Sequence, residues 1–175
     1  CTSGGGFEME VTTGNSVDLT LPFSRLRRLI LSGDGEKVIT NGTTFNICEN
    51  LEILDGGFLT MGDNTTLNIS GNIIKSATAT FDGDFNNARI VMEGSSAQQI
   101  DGDFTGLEGI KSLEVDNATG LTVVNGTSDN VEVEDLIMTD GKIFTDDNNS
   151  LIIISTGSVT GNFSSTTFVD GPLVR

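Results

Sequence analysis

The stretch Asn41-Gly42-Thr43-Thr44-Phe45-Asn46-Ile47-Cys48-Glu49-Asn50-Leu51-Glu52-Ile53-Leu54-Asp55-Gly56 decides the fold. Its short apolar runs lie between an Asn-Gly and an Asp-Gly turn, and the pattern returns later in the chain. Asn125-Gly126-Thr127 answers Asn41-Gly42-Thr43, and Asn130-Val131 answers Asn46-Ile47. Leu136-Ile137-Met138 answers Leu51-Glu52-Ile53, and Asp140-Gly141 answers Asp55-Gly56. Leu29 and Leu31 are echoed by Leu113 and Val115, and Leu67 and Ile69 by Leu151 and Ile153, all at a displacement of about 84 residues. A fixed displacement of this kind marks a stacked architecture in which each turn covers the apolar edge of the one before.

A finer rhythm runs inside each copy. Leu29, Leu51 and Ile73, then Leu113, Leu136 and Val159, follow one another at 22 or 23 residues, with one gap of 40 that contains Ile90. Ile90 is expected to belong to another, shorter turn. A period near 22 suits one coil of three short strands and three bends, each coil pairing with the next at ~4.8 Å. The expectation is an all-β chain folded as a right-handed parallel β-helix (a β-solenoid) of seven or so coils, roughly 35 Å long by that rise. Residues 1–175 form one solenoid domain, its internal repeat falling at approximately 25–108 and 109–175.

Alternation supports this reading, because period-two strands point successive side chains to opposite faces. Leu29 and Leu31, with the stem of Arg27, alternate against Arg28 and Ile30, and Leu51 and Ile53 against Glu52 and Leu54. Glu114 separates Leu113 from Val115, and Glu132 separates Val131 from Val133. The run Leu151-Ile152-Ile153-Ile154 is apolar on both faces, which calls for cover from outside. The turn signals Gly33-Asp34-Gly35, Asp55-Gly56-Gly57, Asp82-Gly83-Asp84, Asp101-Gly102-Asp103 and Asp140-Gly141 separate the strands. Asp-Gly is also the strongest hairpin signal, so a β-sandwich is the rival fold. A sandwich gives no reason for the 84-residue echo.

Composition agrees. Gly (22 residues), Asn and Thr are abundant, which suits tight turns, and the Ala, Leu, Glu and Lys runs of long helices are missing. The net charge is −16, from 25 acidic and 9 basic residues, which argues against nucleic acid and anionic lipid as partners. No apolar run approaches the ~20 residues a membrane helix needs, and no signal peptide is visible. There is no His, Trp or Tyr. The commonest general base and metal ligand is therefore missing, as are the aromatic platforms on which sugars and peptides usually stack. The ten Phe read as core.

The two cysteines are Cys1 and Cys48. Cys48 corresponds to Glu132 in the second copy and belongs on the outside, where an unpaired thiol would be reactive. A Cys1–Cys48 disulfide would explain both residues and imply an oxidising compartment. The other readings of Cys1 are a lipidated first residue and a mere boundary of the chain.

Ala97-Gln98-Gln99-Ile100-Asp101-Gly102 with Phe104, the segment Leu136 to Gly141, the Leu151–Ile154 strand and the ending Thr167-Phe168-Val169-Asp170-Gly171-Pro172-Leu173-Val174-Arg175 carry a resemblance. They resemble repeat regions of large secreted or cell-surface proteins of Bacteroidota, many exported by the type IX system. The resemblance covers residues 85–175 directly and the first half through the internal repeat. It implies a β-helical, adhesin-like or structural piece of a longer chain, located outside the cell or on its surface. Its motifs are Gly, Pro and core positions, which specify fold rather than activity, and Cys1 to Gly6 match nothing in it.

The candidates for chemistry weaken on inspection. Asp146-Asp147 is an adjacent pair in a turn, whereas glycoside hydrolysis needs two carboxyls on one face ~5 to ~9.5 Å apart. Arg25, Arg27 and Arg28 could bind an acidic sugar but read better as charge relief. Asp82-Gly83-Asp84 and Asp101-Gly102-Asp103 would gather four carboxylates for a calcium ion if they stacked on successive coils, but Asp-Gly is also ordinary turn chemistry. The Asn-x-Ser/Thr sequences at Asn41, Asn64, Asn68, Asn117, Asn125, Asn148 and Asn162 decide nothing in a bacterial chain this rich in Asn and Thr. No catalytic, cofactor or metal residue is assigned.

The expected function is a non-enzymatic extracellular structural or adhesin module of a bacterial cell-surface protein. The alternatives are a polysaccharide-binding or polysaccharide-degrading β-helix and a subunit of a head-to-tail filament. Neither Phe7, Met9 and Val11 at one end nor Phe168, Val169 and Leu173 at the other look like the cap a freestanding solenoid requires. Neighbouring domains of the same polypeptide are the expected cover, since the charge of −16 opposes stacking of identical subunits.

Overall fold

The computed structural model describes residues 7–20, 25–106, 109–124 and 130–175. The chain opens with β1 (Phe7–Thr12) and β2 (Val17–Leu19), and β3 (Arg25–Ser32) turns the first long corner. Two regular coils follow: β4 (Glu36–Ile39), β5 (Thr44–Ile47) and β6 (Leu51–Ile53), then β7 (Phe58–Met61), β8 (Thr66–Ile69) and β9 (Ile73–Lys75). β10 (Thr80–Asp82), β11 (Arg89–Met92) and β12 (Gln98–Asp101) complete the next. Beyond them β13 (Ile110–Asp116), β15 (Val131–Asp140) and β17 (Leu151–Gly161) each run around a corner. They alternate with the shorter β14 (Leu121–Val124), β16 (Ile143–Phe144), β18 (Val169–Asp170) and β19 (Leu173–Val174).

Every strand pairing among the described residues is parallel. The Asp-Gly turns therefore do not close hairpins, and the sandwich is excluded. The molecule is a β-solenoid of about seven coils of roughly 22 residues. One face is the four-stranded sheet β2-β4-β7-β10, extended by single bridges from Gly83 to Ile110 and from Phe104 to Val131. The other two faces belong to one continuous sheet, because β3 pairs with β5 at its start and with β6 at its end.

The apolar rows predicted from the 22–23 residue spacing exist, but they are two. Leu29, Leu51, Ile73, Ile100 and Val123 stack on one face. Phe45, Leu67, Ile90, Leu113, Leu136 and Val159 stack on the next. Ile90 is thus a full member of the second row and not part of a shorter turn. The 40-residue gap was a change of face. All of these side chains are buried except Val159, the last described member of its row, which is 36% exposed. Each buried aliphatic side chain contributes about 1.5–3 kcal/mol, so the rows are the main cohesive element.

The same geometry reinterprets the 84-residue echo. Three coils separate Leu29 from Ile100, and Leu113 lies two faces further along. Echo partners such as Leu29 and Leu113 therefore point inward from different faces. The echo records the rhythm of strand and bend, about a third of a coil, and does not superpose one stack on another.

Some inward positions are polar. Lys37 sits between Val17 and Leu59 in a row that should be apolar, and it is completely buried. Its ammonium donates to the carbonyls of Thr13 (3.1 Å) and Gly33 (2.5 Å). Lys75 follows Leu31 and Ile53 inward and lies over the Phe104 ring, 5.7 Å from its centroid. Phe104 in turn packs edge-on to Phe81 at 5.3 Å, where the first face is held only by single bridges. The alternation expected through Arg27 is broken at the corner: Leu26 is buried and Arg27 is exposed.

Candidate functional site

The bends of the solenoid are built from side chains that reach up to the next coil. The Oδ1 of Asn50 accepts the backbone N–H of Asn72 at 3.0 Å, and the Oδ1 of Asn72 accepts that of Gln99 at 2.9 Å. A second column runs from Asn41 to the N–H of Asp63 and from Asp63 to the N–H of Asn86, and a third from Asp103 to Asn130 and from Asn130 to Ser150. Amide pairs stack as well: Asn68 donates to Asn46 at 2.8 Å and Asn87 to Asn64 at 2.9 Å. Asn64 and Asn87 both hold positive φ, 56° and 55°, a conformation that Asn tolerates. The abundance of Asn and Asp thus satisfies backbone donors at corners that a sheet ladder cannot reach. Five of the Asn-x-Ser/Thr residues with a described position (Asn41, Asn64, Asn68, Asn117 and Asn162) carry side-chain bonds of this structural kind.

A groove of about 280 Å³ opens on the outside of the face formed by β11, β13, β15 and β17. Its floor is the column Arg89, Ser112, Asp135 and Ser158, whose members follow one another coil by coil. Asn87, Lys111, Ile137 and Thr160 complete the lining. Asp135 Oδ1 accepts the hydroxyl of Ser158 at 2.6 Å and its N–H at 3.2 Å. Arg89 pairs with Glu114 at 2.6 Å, while Lys111 pairs with Glu134 and lies 3.5 Å from Asp84. The hydrogen bond to Glu134 holds the Lys111 ammonium above its ordinary range, so it stays charged at neutral pH. The groove presents a guanidinium, an ammonium, a carboxylate and several hydroxyls, a set suited to hydrogen-bonding a polyhydroxylated ligand. It has no aromatic wall. Its column was readable in the sequence as the residue just before each member of the row Ile90, Leu113, Leu136 and Val159, a signal that sequence reasoning passed over.

The residues singled out from sequence lie elsewhere. Arg28 forms a two-pronged pair with Glu52 (2.9 and 2.5 Å), which raises the guanidinium pKa, and Glu52 is nearly buried beneath it. Arg27 reaches Glu8 at 2.5 Å and Glu49 at 3.7 Å. Arg25 directs its Nε at the Cys48 sulfur, 3.2 Å away. The basic cluster is thus engaged with acids and sulfur of its own chain. Cys48 is not a free thiol. Cys1, its expected partner, lies outside the described residues, as do Asn125, Gly126 and Thr127 of the echo.

Asp146 caps its own turn, accepting the N–H groups of Asn148 and Asn149 at 2.8 and 2.9 Å, which holds its carboxyl below the usual range. The two Asp-Gly-Asp turns do not stack. Asp82 extends the sheet of β7 and β10, whereas Asp101 pairs beside Ile74 and Val124 on another face. The four-carboxylate calcium cluster is therefore not formed, because the 19-residue separation is shorter than one coil. Burial pushes the Asp82 carboxyl up, but Asp82 lines neither this groove nor the smaller one bordered by Asp84, Glu132, Glu134 and Ile154. Among the described residues no three acidic or cysteine side chains gather as a metal site would require, and no helix is long and apolar enough to cross a membrane.

Compared with protein-family models, curated proteins and solved structures, the chain matches none.

Proposed function

We propose that this chain is a non-enzymatic structural or adhesin module of an extracellular bacterial surface protein, a stiff β-solenoid that separates or presents other parts. The observation that supports the reading is where the polar side chains go. Asn50, Asn72, Asn41, Asp63 and Asp103 serve the coil above. Arg27, Arg28 and Asp146, the candidates for chemistry, are engaged in ion pairs and turns. A chain that uses its polar groups to lock coil to coil resists bending, and spacing is what such a rod can do without a reacting group. Its partners on this reading are neighbouring domains of the same polypeptide or identical subunits.

A second reading, a polysaccharide-binding module, is favoured by the groove whose column rises with the coils from Arg89 to Ser158. Successive coils are about 4.8 Å apart, close to the length of one sugar ring, so a glycan lying along the column would meet one polar group per ring. Incubation with a panel of neutral and acidic polysaccharides separates the readings. Inert behaviour fits a spacer, and binding that Ser112→Trp abolishes fits a glycan adhesin. New reducing ends or unsaturated products would overturn both.

A further inference from the structure

The centre of the groove lies on β11, β13 and β15, and each of these strands has a neighbour on both sides. Its form is therefore set by the stack itself. Asp135 uses only its Oδ1 there, to accept the hydroxyl and the N–H of Ser158. Its Oδ2 has no partner among the described residues. One coil below, the Ser112 hydroxyl has none either. Arg89 commits one amino group to Glu114, which leaves its Nε and its other amino group as donors.

The two cations of the groove are already matched by acids of their own chain. Arg89 pairs with Glu114, and Lys111 pairs with Glu134 and lies 3.5 Å from Asp84. With Asp135, four carboxylates stand around two cations, a local balance of −2 on a chain of net charge −16. Glu114 is held further by the Thr139 hydroxyl, which donates to its Oε1 at 2.7 Å. A ligand carboxylate would have to displace such an acid from its cation against the field of the others. A neutral hydroxyl meets no such obstacle.

Resting on the glycan reading of this groove, we infer that its ligand is an uncharged, polyhydroxylated polysaccharide and that uronate polymers are rejected. Asp135 is the acceptor, and Ser112 and Arg89 are the donors. Neighbouring hydroxyls of one sugar ring supply both complements. One donates to Asp135 Oδ2 in a charge-assisted bond, stronger than a neutral one, and the next accepts from Ser112 or Arg89. No aromatic wall adds stacking, so each site binds weakly and a long chain holds by repetition. Because the ligand carries no charge, salt leaves its binding almost unchanged.

Binding of the intact chain to immobilised mannan, β-glucan, alginate, polygalacturonate and chitosan, at low and at molar NaCl, tests it. The expected result is binding to a neutral polymer that salt does not weaken, with alginate and polygalacturonate left unbound. Asp135→Asn, with folding checked by circular dichroism, should weaken that binding about fivefold, since an amide replaces the charged acceptor. Ser112→Trp should abolish it by filling the groove. Binding to a uronate polymer in preference to the neutral ones would overturn the inference and leave the glycan reading standing. Binding to chitosan alone, released by salt, would do the same. Neutral binding that both variants leave intact would place the site elsewhere and overturn it. No binding to any of the five would sink the glycan reading and this inference with it.

Discussion

Asn117 donates its side-chain amide to the Oε1 of Gln98 at 2.8 Å, and both residues are within 1% of complete burial. Gln98 points inward in a row otherwise held by Leu121, Ile143 and Val169. Its Oε1 also accepts the N–H of Gly94, and its Nε2 donates to the carbonyls of Ile69 and Gly71. This amide pair closes a long coil, where 27 residues separate Ile73 from Ile100. The extra residues expose backbone groups that no strand reaches, and the two amides satisfy them.

Gln98→Ala should therefore destabilise by about 3–5 kcal/mol, because the Gly71 carbonyl, the Gly94 N–H and one amide N–H of Asn117 lose the partner that Gln98 supplies, while the Ile69 carbonyl keeps the N–H of Glu93. Gln98→Glu should be nearly as harmful despite its equal size, since a carboxylate would face the Ile69 and Gly71 carbonyls. Urea unfolding curves measure both. A loss below about 1 kcal/mol for both variants would mean that the pair is not a structural tie.

Lys37 gives a pH signature. Burial lowers its pKa from the ordinary lysine value. A base whose pKa falls on folding binds its proton more readily in the unfolded chain, so below the folded pKa its charge opposes folding. That penalty fades as pH rises from the folded pKa towards the unfolded value. Lys37→Met keeps the stem and removes the charge, and should be neutral to stabilising by about 1–2 kcal/mol at pH 7. Stability measured from pH 7 to about pH 10 should rise in the wild type relative to the variant. Parallel curves would show that the ammonium is not penalised.

Gly141 has φ +83°, and a Cβ there would stand 1.8 Å from the Asn117 carbonyl oxygen. The obstacle is backbone of the coil below and cannot swing aside. Gly141→Ala should cost roughly 2–4 kcal/mol. Gly42, also at positive φ but with open space around a Cβ, is the control, and Gly42→Ala should cost only about 1 kcal/mol. Thermal melts of the two variants rank them, and the opposite order would contradict the packing argument.

The expected bond between Cys1 and Cys48 would close a loop that chain entropy values at about 4 kcal/mol. Non-reducing peptide mapping should recover Cys1 and Cys48 in one fragment, and Cys48→Ser should lower the melting temperature in the absence of reductant. Recovery of Cys48 linked to a second chain would replace the intramolecular bond with a cross-link.

The coil period, the parallel stacking and the corner positions of Asn-Gly and Asp-Gly could all be read along the chain. Each inward position must be apolar and must recur once per coil, so Leu29-Leu51-Ile73 and Leu113-Leu136-Val159 announce themselves. Assignment to faces could not be read, because strand and bend recur three times per coil and a shift by one face leaves the pattern almost unchanged. That degeneracy is why Leu29 and Leu113 echo each other in sequence yet line different walls.

Tertiary structure alone decided the exceptions. Lys37, Lys75 and Gln98 occupy inward positions because partners from elsewhere in the stack meet them there: the Thr13 carbonyl, the Phe104 ring and the Ile69 and Gly71 carbonyls. A buried polar group is tolerable only when its bonds are made, and whether they are made depends on coils that are 20 or more residues away in sequence. The calcium reading failed for the same reason, since Asp82 and Asp101 are near in sequence but fall on different faces. The sequence by itself determined the repeating unit through the periodicity of local burial. The folded stack determined which side chains meet, because contact in a solenoid runs across coils and not along the chain.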